Sequence, residues 1–318
     1  MIATRETNQG HVTKPEILAT PGSPDELRRL VRAGADAVAI GERRFGLRLA
    51  GEFPLPLFRE AVAFARENGV KVYALVNRIM DNRLALELPD YLRELGSIGP
   101  DAVVFGDPAV VMAMRQLGLS IPLHWDGEMT VTNHAAAEFW GEKGAVRAVL
   151  ARELNLDEIR SFKRRTGLEV EVQVHGATAI YHSRRRLVRS YLEHRGLAPL
   201  DAGMAAGLYA VETERPDLRH PVFEDEDGTH ILSPDDICLL DLVPELVAAG
   251  VDSFRIDGLL KSPEYNEAAV RAYRAAVDRY AASPERFEPD PAWLESIRRL
   301  QDPGRELTYG FLFKEQIY

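Results

Sequence analysis

The stretch V-D-S-F-R-I-D-G-L-L-K-S-P-E-Y, residues 251–265, decides how the rest of the chain is read. Val251, Phe254 and Ile256 form a short apolar run that stops at Asp257-Gly258. Ser262-Pro263 then opens a helix, with Ser as N-cap and Pro at the first helical position. An acid, a glycine and a lysine, Lys261, therefore stand where a strand gives way to a helix. In α/β proteins that edge is where sites are built.

Working outward, the same unit recurs. Short apolar runs lie at 16–19, 35–40, 71–76, 102–105, 121–125, 146–150 and 168–174, ahead of the one at 252–256. Each has the length and composition of a buried parallel strand. Amphipathic runs separate them. Ser23-Pro24-Asp25-Glu26 is a capping box ahead of Leu27, Leu30 and Val31. Further helices are predicted at 54–69, 82–99, 107–118, 133–144, 155–167, 234–250 and 262–282, most of them ending in Gly. Eight strands alternating with eight helices over about 270 residues predict an α/β protein, a closed (β/α)8 TIM-like barrel rather than an open sheet.

Residues 1–13 read as a flexible tail and 14–283 as the barrel domain. A long insertion after strand seven, 177–232, is predicted to carry its own structure. It includes a hairpin at 222–232 turning on Asp227-Gly228. A C-terminal extension, 284–318, holds a helix at 291–300 and a strand-like run at 307–313, and is expected to pack on the barrel.

The 318 residues are 46% hydrophobic and 28% charged, an ordinary globular composition. No apolar run reaches membrane-spanning length, so no membrane partner is expected. The first residues, M-I-A-T-R-E-T-N-Q-G-H-V-T, hold no apolar signal core, and a cytoplasmic location follows as the expectation. Cys238 is the one cysteine. It excludes an internal disulfide and any metal or iron–sulfur site held by several cysteines of this chain. Its setting, D-I-C-L-L-D-L, reads as a helix with a buried structural thiol. A net charge of -10 argues against a stand-alone nucleic-acid binder but leaves room for a local basic patch.

No nucleotide-binding glycine loop and no G-x-S-x-G nucleophile elbow occur, and the histidines do not fall at metal-ligand spacing. The strand ends carry the chemistry. Asn77 ends strand three, Asp126 and Glu128 follow strand five, and Arg152-Glu153 follow strand six. His175 ends strand seven, and Asp257 and Lys261 end strand eight. In a barrel these converge at one mouth. Glu128, His175, Asp257 and Lys261 are the candidate acid–base groups. Asn77, Asp126, Arg152 and Glu153 are the candidate substrate-binding groups. Plainer readings stand beside these: rim ion pairs for Arg152 and Glu153, a structural histidine for His175, a surface lysine for Lys261. A second feature is H-S-R-R-R-L-V-R-S-Y-L-E-H-R, residues 182–195. Arg184, Arg185, Arg186, Arg189 and Arg195 form a positive patch suited to RNA or a protein partner, or a solvated helix that balances nearby acids.

Several ordered segments resemble the collagenase-like peptidases, peptidase family U32. They include P-E-I-L-A-T-P-G-S, A-G-A-D-A-V-A-I-G, V-L-A-R-E-L-N-L-D-E-I, V-H-G-A, D-I-C-L-L-D-L-V-P-E-L-V-A-A-G-V-D-S-F and the opening stretch. The last is similar to the family's Ile-Glu-Gly-Arg-Met-Lys-Ser, with Asp257 for Glu and Leu259 for Arg. The family's cysteine signature is broken. Its first two cysteine positions correspond to Ala179 and Arg186, its glycine to Arg184, and residues 197–208 contain no second pair. Those cysteines hold an iron–sulfur cluster in the family, so the resemblance implies no cluster in this chain. It also implies a barrel and a place in oxygen-independent hydroxylation. The leading expectation is a cluster-free partner subunit in prephenate-dependent tRNA wobble-uridine 5-hydroxylation. Prephenate would be co-substrate, and the partner a cluster-bearing paralogue or a second copy. The alternatives are a metal-independent peptidase or hydrolase, and a small-anion binding protein.

Overall fold

Eight parallel strands close on themselves. In chain order they are β1 (Glu16–Ala19), β2 (Ala37–Ile40), β3 (Lys71–Val76), β4 (Ala102–Phe105), β5 (Leu123–Trp125), β6 (Ala145–Val149), β7 (Glu169–Ser183) and, after an excursion, β11 (Ser253–Ile256). Each pairs in parallel with the next, and β11 pairs with both β7 and β1, which seals the barrel. The computed structural model describes residues 13–314, so all but the last residue of the predicted 1–13 tail lies outside the described residues.

Helices α1 (Pro24–Ala33), α2 (Leu55–Glu67), α3 (Asn82–Ile98), α4 (Pro108–Leu117), α5 (His134–Glu142), α6 (Leu156–Arg165) and α9 (Pro263–Ala282) surround the strands. Their starts follow the predicted capping chemistry. Ser23, Asp81, Asp107, Asn133, Asn155 and Ser262 each accept a backbone N–H in the first turn. The main core lies between strands and helices, where Ile17, Val72, Phe105 and Phe254 meet Leu27, Phe58, Leu92 and Val270.

The barrel interior is divided. Beside β1–β4 it is apolar, built from Leu18, Ala37, Ala39, Tyr73, Leu75, Ala102 and Val104. Beside β6, β7 and β11 it is charged, because inward positions two residues apart hold Glu169, Glu171 and Gln173 on β7. Arg147 on β6 reaches Glu16 at 2.7 Å, Glu169 at 2.7 Å and Glu171 at 3.3 Å. Arg255 on β11 continues the chain of charges, 3.7 Å from Glu171 and 3.3 Å from Asp257. Burial pushes the Glu171 carboxyl above the usual range, against the pull of Arg147 and Arg255.

β7 does not end at Val174. It runs on to Ser183 and leaves the barrel as one edge of an antiparallel sheet with β10 (Gly228–Cys238), β9 (Arg219–Asp225) and β8 (Leu208–Val211). α7 (Leu187–His194) crosses beside it. The β9–β10 turn is Glu226-Asp227, one residue ahead of the predicted Asp227-Gly228, and Gly228, already paired with Asp225, has φ +111°, where an added Cβ would strike the Ser183 carbonyl.

Three expectations need correction. The predicted helix at 234–250 is shorter: 234–238 belong to β10, a 3-10 turn follows at Leu240–Leu242, and α8 spans Val243–Ala248. Pairing of Asp236 and Ile237 with β7 on one side and β12 (Leu307–Thr308) on the other overrides the helical pattern. Cys238 is therefore a strand residue, although buried, and burial pushes its thiol up to about 11. The run at 307–313 is strand only at Leu307–Thr308 and then turns, its neighbour Leu312 accepting from the Leu156 amide at 3.1 Å. In the extension, α10 (Pro291–Arg298) packs on α9 through the buried Ile297, and Arg279 lies 4.4 Å from the Trp293 ring centre.

Candidate functional site at the barrel mouth

At the C-terminal ends of the strands, Asn77, Asp126, Glu128, Arg152 and Asp257 converge as the sequence predicts. Two residues it did not single out complete the group, Arg48 from the loop after β2 and Arg255 from within β11. Asn77 Nδ2 donates to Asp126 Oδ2 at 3.0 Å, while Asn77 Oδ1 accepts from the Leu47 amide at 3.0 Å. Arg152 Nε donates to Gln173 Oε1 at 2.6 Å. Glu128 is ion-paired with Arg48 and lies 3.8 Å from Arg152. Burial raises its carboxyl pKa, but the Arg48 and Arg152 charges outweigh that and hold it below the usual glutamate range. Asp257 Oδ1 accepts from the Leu259 amide at 3.1 Å.

Two points of backbone strain, Arg48 and Glu128, lie in the same place, and a third, Leu260, lines the cavity beside α9. Arg48 (φ 49°), Glu128 (φ 54°) and Leu260 (φ 61°) are the non-glycine residues with positive φ among the described residues. Arg48 and Glu128 are partners of each other. Strained residues of this kind cluster at functional sites. The ion pairs also close the mouth, where the remaining cavity is about 10 Å³, no more than one water needs.

His175 and Lys261 do not join this group, which corrects the expectation of a single constellation. A register shift between Arg255 and Ile256 against β7 turns His175 out of the barrel toward α9. There it is fully buried, with Nε2 2.8 Å from the Tyr265 hydroxyl and its ring edge-on to Tyr273. Burial holds its pKa down at about 4, against the pull of Asp236, so the ring is neutral near pH 7. Gly176, φ +105°, lets β7 pass against the Asp257 carbonyl, where a Cβ would clash. Lys261 ion-pairs with the fully buried Asp236. Burial lowers the lysine pKa, and Asp236 opposes this. Asp236 is itself held at about 2, because hydrogen bonds from Arg305 and the Lys261 charge overcome its burial. Glu153, in the turn after β6, is not among the residues lining the mouth. The candidate acid–base groups Glu128, His175, Asp257 and Lys261 are thus split between two environments.

The arginines of the insertion lie elsewhere again. Arg184, Arg185, Arg186, Arg189 and Arg195 are all exposed, on and around α7, which buries none of its residues. Arg184 pairs with Asp81 at 2.8 Å and Arg189 with Glu193 at 3.0 Å. Tyr181 and Tyr191 are exposed among them.

Arg48 had no motif to announce it. Arg255 had a signal, a charge inside an apolar strand run, S-F-R-I, which only an inward barrel position accommodates. Asp236 was hidden by its assignment to a helix.

Fold and mouth together define a (β/α)8 barrel protein whose seventh strand is prolonged into a second sheet. The chain belongs to peptidase family U32, whose model matches residues 22–317. It is 45% identical over 309 residues to the tRNA hydroxylation protein P2 of Bacillus subtilis (strain 168), covering 96% of this chain and 99% of that protein. Similarity extends to the tRNA hydroxylation protein P1 of the same organism, 32% identical with 89% and 68% covered. The tRNA hydroxylation protein P of Escherichia coli (strain K12) is 30% identical, with 94% and 74% covered. Among the described residues, no helix is long and apolar enough to cross a membrane.

Proposed function

We propose that this chain works in tRNA hydroxylation, as a cluster-free partner of a cluster-bearing paralogue. The observation that carries the reading is 45% identity, over nearly the whole of both chains, to a protein named for tRNA hydroxylation. Bacillus subtilis holds two such relatives, named P1 and P2, which supports a paired arrangement. The thiol positions implied by the family resemblance are Ala179 and Arg186 here, so a cluster would come from the partner. Prephenate is the co-substrate in this reading. The exposed arginines around α7, interleaved with Tyr181 and Tyr191, suit RNA phosphates and unstacked bases, although the whole chain is acidic.

Deleting the gene and measuring wobble 5-hydroxyuridine by mass spectrometry of bulk tRNA tests the role. Loss of the nucleoside, restored by a plasmid copy, is expected; unchanged levels reject it. Co-purification with the paralogue tests the pairing.

A further inference from the structure

Residues 127–130 make a short turn at the barrel mouth, hinged between the buried Asp126 and Val131. Its outer side is open, with Met129 68% exposed. We propose that this turn is a plug, whose Glu128 carboxylate takes the place of a small, free, tetrahedral oxyanion in an arginine site and keeps that site shut. With Glu128 seated, about 10 Å³ is left.

The charges at the mouth set the class of ligand. Arg48, Arg152 and Arg255 line it, and Asp126, Glu128 and Asp257 are the acids beside them. Asp257 faces Arg255 at 3.3 Å, and Asp126 is held by Asn77 at 3.0 Å. Glu171, one layer deeper, lies 3.3 Å from Arg147 and 3.7 Å from Arg255. Among the described residues, Glu128 is the carboxylate in ion-pair reach of both Arg48 and Arg152. Those two side chains are only 7% and 12% exposed, so without Glu128 their guanidinium groups would line a gap with no anion in it. Guanidinium groups so placed take up oxyanions through paired N–H donors. The plug fits unevenly. It pairs closely with Arg48, but its 3.8 Å to Arg152 is too long for a hydrogen bond. A planar carboxylate serves one guanidinium and falls short of the other, whereas a tetrahedral oxyanion presents an oxygen to each. The space that one carboxylate vacates, walled by Leu47, Ala177, Ala179 and Leu259, suits a free ion rather than a larger ligand.

The backbone carries the cost of this arrangement. Glu128 has φ 54° and Arg48 φ 49°, conformations that residues with side chains rarely adopt. Such conformations persist where other contacts over-determine them, and here the two strained residues are each other's ion partner. The turn packs down only because position 127 is glycine: a Cβ there would meet Thr130 Oγ1 at 2.6 Å and Trp125 Nε1 at 2.8 Å. Its hydrogen bonds are local, with the Thr130 hydroxyl and amide donating to the Gly127 carbonyl at 2.6 Å and 3.0 Å. A strained, self-contained turn of this kind can lift without opening the strands below it.

The test titrates inorganic sulfate into the full chain by calorimetry at constant ionic strength. Millimolar sulfate is used, below the range in which the ion stabilises proteins generally. The wild type should not bind measurably. Glu128→Gly removes the plugging carboxylate and suits the positive φ. It should bind sulfate, and its melting temperature should rise with sulfate while that of the wild type stays fixed. Glu128→Gln keeps a neutral side chain in the site and should bind more weakly than Glu128→Gly. Acetate, planar like the plug, should bind Glu128→Gly more weakly than sulfate does. Adding Arg152→Gln to Glu128→Gly should weaken sulfate at least about tenfold. Hydrogen exchange should quicken at 127–131 in Glu128→Gly, with the barrel strands unchanged. Equal sulfate binding by the wild type, no binding by either Glu128 variant, or binding that survives the loss of Arg152 would each overturn the plug. Hydroxyuridine levels in the deletion strain are read separately, so the plug and the tRNA role stand or fall independently.

Discussion

The barrel mouth and the cavity beside it are both charged, and both lie at the C-terminal ends of strands, yet they differ in what their charges are doing. At the mouth, Arg48, Arg152 and Arg255 are met by Glu128, Gln173 and Asp257, and the space left is about 10 Å³. Beside α9, Lys261 and Arg305 share Asp236, one guanidinium nitrogen stays unpartnered, and about 380 Å³ remains. Charges at strand ends therefore do not by themselves make an open site. What matters is whether they satisfy one another.

Substitutions can break this contrast in graded ways. The largest effect is expected for Asp236→Ala, which leaves Lys261 and Arg305 buried without their anion. Breaking a buried ion pair in this manner costs about 3–5 kcal/mol. Denaturant unfolding should show the loss, and hydrogen exchange should rise across the extension that Arg305 anchors.

Asp227 comes next. It ion-pairs with Arg78 and so holds the insertion hairpin against the barrel. Burial pushes its carboxyl up to about 6, with Asp225 adding to the rise and Arg78 offsetting part of it. The folded chain thus keeps a proton that the unfolded chain has lost, and stability falls as pH rises from about 4 to about 6. Asp227→Asn should flatten that fall, by up to about 3 kcal/mol. Carboxyl NMR of the wild type should place the titration near pH 6, whereas a value near 4 would remove the effect.

Glu128→Gln probes the mouth with the opposite sign. The depressed pKa of Glu128 means that its stabilisation is present above the ordinary glutamate range and is lost as pH falls through the folded value. The substitution should cost about 1–2 kcal/mol at pH 7, and the difference from wild type should shrink in urea melts as the pH is taken below the ordinary glutamate range. Smallest in stability is Arg185→Ala with Arg189→Ala on exposed α7, expected to stay within about 0.5 kcal/mol. The same pair should weaken binding of tRNA to the assembled complex and flatten its salt dependence, read by filter binding.

The split of the predicted site has a specific cause. His175 was expected at the mouth because it ends strand seven, and unbroken period-2 alternation would place it on the same face of β7 as Gln173. A bulge against β11 interrupts that alternation, and His175 turns to Tyr265 and Tyr273. Asn77, Asp126, Glu128, Arg152 and Asp257 were legible because each directly follows or ends a regular strand. Asp236 was not, since the apolar pattern of 237–247 suits a helix as well as a strand end.

Residue order alone determined the barrel. Eight apolar runs, the capping residues before the helices and the glycines after them are local signals, and closure follows from their number. It likewise determined that Cys238 stands alone and that the arginines of 184–195 crowd one segment. Only the tertiary structure decided that β7 continues into a second sheet, that Arg48 reaches Glu128, and that Asp236 gathers Lys261, Gln301 and Arg305. Those contacts join residues far apart in the chain. Their partners are set by burial and charge balance, which no local pattern encodes.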